Sequence, residues 1–222
     1  MKHRYSTFNK NKYESHWLAF DLIGVNSKVL DIGCATGYFA KELLLKNCEV
    51  YGVDIDKDAL KIADKYCKKT ALSNLDQVHS LSFPKKYFDY VIVLDVIEHL
   101  AHPENVLIMA KHYLKDGGRI IISVPNISHA SIRCMLLKGE FQYTDTGILD
   151  KTHLHFYTKR SFETELKRAG YKILKLYPTN GMCKVPFLYK ITDRLPESWQ
   201  YKIACMVPTL FSFQFVALVK PR

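Results

Sequence analysis

The sequence predicts an α/β protein built on one open, mainly parallel sheet, and three observations carry that expectation. Apolar runs and helical patterns alternate along the chain; Val29-Leu30-Asp31-Ile32 passes directly into the glycine-containing turn Gly33-Cys34-Ala35-Thr36-Gly37; and a second acid-ended run, Cys48 to Asp54, follows. A chain of 222 residues is the size of one such domain with decorations, so 1–222 is read as a single unit.

Each element has a local reason. Residues 1–12 are polar, and 13–23 can form a helix with Trp17, Leu18 and Leu22 on one side, placed ahead of the first strand where it would cover a ligand. Val29, Leu30 and Ile32 suit a buried parallel strand, 28–32. Phe39, Leu43 and Leu44 repeat at helical spacing over 36–46, strand 48–53 follows, and Asp56 precedes helix 57–67. A weaker strand near 69–75, strand 88–94, helix 103–114 opened by Pro103, the Gly117-Gly118 turn and strand 119–124 complete a five-strand parallel set with right-handed crossovers.

Two irregular stretches break the alternation. Residues 125–150 carry Arg133, Met135 and Leu136; residues 178–210 carry Met182, Phe187, Tyr189, Trp199, Tyr201 and Met206; helix 159–169 and strand 171–177 lie between them, and strand 212–219 closes the chain. Ligands of open α/β sheets sit at the carboxyl edge, where both insertions would lie, so they read as a substrate lid, with a satellite core or a homodimer surface as the alternatives.

The glycine turn separates two ligand classes. A dinucleotide site wants G-x-G-x-x-G, but here the spacing is Gly33-x-Ala35-x-Gly37 and the last position of that pattern is Tyr38. Asp31, two residues before the first glycine, would repel a phosphate and attract a cation. The ligand implied is a nucleoside without phosphates and with a positive end. Asp54, at the end of the second strand, can accept hydrogen bonds from both ribose hydroxyls, and Ile55 beside it can lie against a purine face.

At these residues the sequence resembles the class I S-adenosylmethionine-dependent methyltransferases, and the likeness continues through Phe88-Asp89-Tyr90-Val91-Ile92-Val93-Leu94-Asp95-Val96-Ile97-Glu98-His99-Leu100. The resemblance implies a Rossmann-like sheet of order 3-2-1-4-5-7-6 with strand 7 antiparallel. It also implies S-adenosylmethionine as cofactor and S-adenosylhomocysteine as product. Asp31 would face the methionine ammonium, directly or through water, with Gly33, Ala35 and Gly37 forming the loop. Asp54 would hold the ribose, Asp76 the adenine amino group, and Asp95 would complete the cofactor wall. Ala35 departs from the family, which more often has glycine there. Beyond 125 the likeness narrows to a ubiquinone-type and cell-surface-glycan-associated subgroup, through Asp150-Lys151-Thr152-His153-Leu154-His155-Phe156-Tyr157-Thr158.

Methyl transfer from a sulfonium needs the nucleophile and methyl carbon about 3–3.5 Å apart in a dry site. A hydroxyl nucleophile also gains from a base, and His99, His153 and His155 are the candidates at the correct edge. His153 is the choice, with Asp150 as its orienting group; His155, two residues on, would point to the opposite face of an extended segment. The set Asp95, Glu98 and His99 resembles the Glu-x-x-Glu-His metal ligands of some ubiquinone and RNA-terminal methyltransferases, with Asp in place of the first acid. Glu98 is expected to point elsewhere, capping and loop hydrogen bonds account for the set, and no metal is expected.

The function expected is O-methylation of a small molecule or glycan precursor. The formal charge of +10 keeps RNA or protein methylation as the enzyme alternative, although no strand face pairs aromatic with basic residues; a non-catalytic S-adenosylmethionine-binding module is the alternative outside enzymes. Six cysteines (34, 48, 67, 134, 183, 205) without C-x-x-C spacing, a polar start and no long apolar run point to a reduced, cytoplasmic protein with neither signal peptide nor membrane span.

Overall fold

The computed structural model describes residues 7–181 and 194–222. Seven strands form one sheet: β1 (Lys28–Ile32), β2 (Glu49–Asp54), β3 (Lys69–Leu72), β4 (Phe88–Leu94), β5 (Leu114–Pro125), β6 (Tyr171–Pro178) and β7 (Gln214–Pro221). Their order is β3-β2-β1-β4-β5-β7-β6, with β7 antiparallel to both neighbours and the other pairs parallel, as the resemblance implied.

Side chains alternate across the pleat, so the central strands feed two cores. Val29, Val50, Ile92, Ile121 and Val216 face one side, where α1 (Ser15–Leu22), α2 (Tyr38–Leu43) and α3 (Lys57–Ala63) supply Ala19, Phe39, Leu43 and Leu60. Leu30, Val53, Val91, Val93, Ile120 and Ile122 face the other side, against Leu107 of α4 (Pro103–Ala110) and Phe162 and Leu166 of α6 (Lys159–Arg168). All of these side chains are buried; at about 25 cal/mol per Å² of apolar surface, the two layers dominate the stability of the fold.

Local chemistry sets the element ends. Asp56 caps α3 by accepting from the backbone N–H groups of Asp58 (2.9 Å) and Ala59 (3.1 Å), and Thr158 and Ser161 form a reciprocal capping box at α6. The helices after β1, β2 and β4 end earlier than their periodicity suggests. The last turns of α2 and α4 tighten to 3₁₀ geometry at 44–46 and 111–113, and α3 stops at Ala63. The Gly117-Gly118 turn lies inside β5 rather than before it, because β4 and β5 pair at Phe88–Leu114 and again only at Tyr90–Arg119.

The first insertion is more ordered than a loop. It contains α5 (Ala130–Leu137), and Ile132, Ile148 and Leu149 form a third apolar cluster with Phe156 and Phe213 packed against it. In the second insertion, α7 (Glu197–Met206) and α8 (Pro208–Phe211) hold Trp199, Tyr201 and Met206, while Met182, Phe187 and Tyr189 lie outside the described residues. The five described cysteines are free thiols, and no described helix is long and apolar enough to cross a membrane.

Candidate active site

A cavity of about 360 Å³ opens at the carboxyl ends of β1, β2 and β4. Gly33, Ala35, Asp54, Ile55, Asp76, Asp95 and His99, all singled out from sequence, line it. The floor is the turn after β1. Gly33 and Ala35 have φ of +83° and +46°, and a Cβ on Gly33 would run into Val96. Ala35 is an L-residue in left-handed backbone, an arrangement that needs support. Asp54 supplies it: one carboxylate oxygen accepts from the Ala35 N–H at 2.8 Å and the other from the Asp56 N–H at 2.9 Å. Asp54 therefore holds the loop as well as facing the cavity.

Asp31 and Gly37 do not line the cavity. Asp31 is 4% exposed beneath the turn, with one carboxylate oxygen, Oδ2, unpartnered. Burial first, and Asp54 second, push its pKa up to about 8, so a cation above the loop would relieve it. Gly37 is a packing glycine, since a Cβ there would lie 2.8 Å from the Cα of Ala63 in α3.

Ile55, 65% exposed, presents an apolar face at one end of the cavity, and Asn74, Leu75 and Asp76 close that end. One Asp76 oxygen accepts from the N–H groups of Ala101 (2.8 Å) and His102 (3.4 Å), fastening this loop to the turn after β4. At the other end, Asp95 (φ +53°) accepts from Ser123 Oγ of β5 (2.6 Å) and Gln214 Nε2 of β7 (2.8 Å). Its carboxylate is thus committed to the sheet. His16 and Tyr38, which the sequence did not single out, also line the wall. The His16 Nδ1 accepts from the Asn9 N–H at 3.0 Å, its Nε2 lies 3.3 Å from the Tyr38 hydroxyl, and burial lowers its pKa.

The histidines divide differently from expectation. His99 and Thr152 line the cavity, whereas His153 is 8% exposed and sits behind His99, ring centroids 4.7 Å apart. His155 lies in a separate groove, its Nε2 3.4 Å from the Ala101 carbonyl. Asp150 orients Thr152, because one of its oxygens accepts from the Thr152 N–H (2.8 Å) and hydroxyl (2.7 Å). With that hydroxyl proton committed, Thr152 can only accept from His99, whose Nδ1 lies 3.1 Å from Thr152 Oγ1 and 3.3 Å from its carbonyl. Nδ1 is therefore the donor in both contacts. The His153 Nδ1 is likewise a donor, 3.1 Å from the Ile148 carbonyl. Burial first, then neighbouring His99, lowers its pKa.

Glu98 corrects the sequence reading most directly. It does not point away from the histidines: it is fully buried, both carboxylate oxygens lack a hydrogen-bond partner, and one ligating atom each from Glu98, His99 and His153 lie within 4.8 Å of one another. Burial, with Asp95 second, raises the Glu98 pKa well above the carboxylate range. His153 therefore replaces Asp95 in the group of three donors that could hold a metal ion.

A glycine turn, an acid at the end of β2 and the exposed Ile55 beside it line one cavity, and a family model described as "Methyltransferase domain" matches residues 3–176. The chain belongs to this family. It is an S-adenosylmethionine-dependent methyltransferase, and S-adenosylmethionine is its cofactor. It is similar to the ubiquinone biosynthesis O-methyltransferase of Azoarcus sp. (strain BH72), 26% identical over 177 residues covering 75% of this chain and 74% of that one. The enzyme of the same name from Vibrio atlanticus is 30% identical over 119 residues, about half of each chain. Among solved structures, an S-adenosylmethionine-dependent methyltransferase from Archaeoglobus fulgidus superposes with a TM-score of 0.63 at 20% identity, covering 92% of this chain and 90% of that one. One from Mesorhizobium loti gives 0.61 at 15%, covering 94% and 98%.

Proposed function

We propose that this methyltransferase acts on a hydroxyl oxygen of a small acceptor, with His99 rather than His153 as the base. The observation that supports this is the His99 imidazole on the cavity wall with its Nδ1 held by both Thr152 oxygens, which leaves Nε2 as the nitrogen available to a substrate proton. Beside the cofactor's methyl group, Nε2 takes the hydroxyl proton as the oxygen attacks the methyl carbon. The new O–C bond forms as the C–S bond breaks, and the neutral thioether leaves. An imidazole placed there suits that transfer, and a positioned base contributes about 10²–10⁴ in rate. The relatives named as ubiquinone biosynthesis O-methyltransferases favour a hydroxylated ring over a glycan precursor as acceptor.

The unpartnered Glu98 carboxylate supports a second reading, in which Glu98, His99 and His153 hold a divalent cation. The donors fit: a buried carboxylate that lacks a partner, and two imidazoles whose Nδ1 groups are already engaged. When bound, such an ion lowers the pKa of a hydroxyl beside it.

Turnover of a hydroxylated aromatic acceptor decides between the two. On the first reading, His99→Ala lowers turnover at least about 100-fold with cofactor affinity within about a factor of two, and chelation has no effect. Loss of activity on chelation, restored by Mg²⁺, selects the second. Equal turnover in His99→Ala and the parent, with chelation also silent, contradicts both.

A further inference from the structure

The opposite edge of the sheet carries a second concavity. It has a volume of about 590 Å³ and is formed at the starts of β4 and β5 and the end of β7. β4 is seven residues long, so at about 3.3 Å per residue this cleft lies about 20 Å from the cofactor cavity at the strand's other end. Five lysines line it: Lys85 and Lys86 from the turn before β4, Lys111 after α4, Lys115 of β5 and Lys220 of β7. Asp116 is its one acid.

Only one of those lysines is neutralised. Lys115 pairs with Asp89 at 2.6 Å, whereas among the described residues Lys85, Lys86, Lys111 and Lys220 have no carboxylate within ion-pair distance. Lys111 is the most informative. Its side chain is partly buried, with Nζ 5.0 Å from the centroid of the Tyr171 ring, in space left open because residue 170 is glycine; a Cβ there would lie 2.8 Å from Nζ. Burial lowers its pKa, so this cation has given up part of its water without gaining an anion.

The backbone contributes as well. Residues 115–118 bulge out between the Phe88–Leu114 and Tyr90–Arg119 pairs, and Gly117, at φ +81°, would have nothing within 4 Å of a Cβ. A glycine bulge open to a ring of ammonium groups is the construction proteins use around phosphate oxygens. Among the described residues His112 is the only aromatic ring in the lining, so the cleft offers no platform for stacked bases, and its concavity does not match a flat membrane surface.

We propose that this cleft is a second ligand site, which binds a compact oligophosphate such as the di- or triphosphate group of a small molecule. Four lysines from three elements, without a described carboxylate partner, set the charge of the ligand, and the volume of the cleft bounds its size.

The test is calorimetric titration of the full chain with inorganic tripolyphosphate, pyrophosphate and orthophosphate at low ionic strength, where screening is weak. Tripolyphosphate is expected to bind, pyrophosphate more weakly, and orthophosphate below detection. The exposed-site variant Lys86→Glu/Lys220→Glu should lose at least about tenfold in tripolyphosphate affinity, while S-adenosylhomocysteine affinity stays within about twofold. Lys86→Gln/Lys220→Gln serves if the charge reversal disturbs folding. Absence of tripolyphosphate binding overturns the proposal, as does binding that neither double variant weakens. If single-stranded RNA or anionic vesicles bind through these lysines and tripolyphosphate does not, the face belongs to a macromolecule or a membrane and the proposal also fails.

Discussion

Replacing Asp54 with alanine tests the cofactor site where loop geometry and ligand binding meet. A carboxylate has about four lone-pair positions, and two are used by the backbone N–H groups of Ala35 and Asp56 at 2.8 and 2.9 Å. The others remain for the ribose hydroxyls. Each hydrogen bond to a charged acceptor is worth about 1.5–3 kcal/mol, partly replaced by water at this half-buried position. Loss of the ribose contacts should weaken S-adenosylhomocysteine binding by about 10–100-fold, that is, by about 1.4–2.8 kcal/mol. Ala35 would also sit at φ +46° without its support. A stability loss of about 1–2 kcal/mol follows, lowering the melting temperature by about 2–8 °C. Calorimetry with S-adenosylhomocysteine and thermal unfolding by circular dichroism measure the two effects separately. Unaltered affinity in the folded variant would refute the ribose role and leave Asp54 as a support for the loop.

Three further outcomes are expected. Asp31 has a folded-state pKa of about 8 against an ordinary value near 3.9, so the folded state holds a proton that the unfolded state has lost; stability from this group is full below about pH 4 and declines as pH rises towards 8, by up to about 1.4 kcal/mol per pH unit. Urea unfolding of the parent and Asp31→Asn should therefore diverge in that window, and parallel curves would count against a buried, protonated Asp31. Gly52→Ala would bring a Cβ to 2.7 Å from the Cys34 sulfur and should destabilise the protein by about 1–3 kcal/mol, read as a shift in urea midpoint. Thr152→Val removes the hydroxyl that orients His99, so kcat should fall about tenfold with KM for S-adenosylmethionine little changed; an unaffected kcat would mean that His99 needs no such positioning.

Much of the fold was legible because the parallel strands are buried on both faces and write themselves as short apolar runs, from Val29-Leu30 to Ile120-Ile121-Ile122. The cofactor turn was legible because left-handed backbone and close approach leave chemical traces at Gly33 and Gly37, and because Asp54 ends a strand. What escaped depended on contacts between distant segments. Glu98 and His99 are adjacent in sequence, yet a 3₁₀ turn from Ile97 to His99 and the packing of 152–155 against it bring Glu98 towards His153. No local pattern reports that. His16 gave no signal because its position on the cavity wall arises only when α1 folds over the loop after β1. Which histidine lines the cavity was not legible for a related reason: position along the chain shows which edge a residue reaches, not whether the side chain is in front or behind.

The central claim is tested most directly by the atom that receives the methyl group. Incubation with methyl-labelled S-adenosylmethionine and a panel of hydroxylated aromatic acceptors, with products resolved by mass spectrometry and NMR, should yield an O–CH₃ product and stoichiometric S-adenosylhomocysteine, both greatly reduced in His99→Ala. Label found only on nitrogen, on carbon, or in RNA or protein, or an O-methyl product formed equally well without His99, would contradict it.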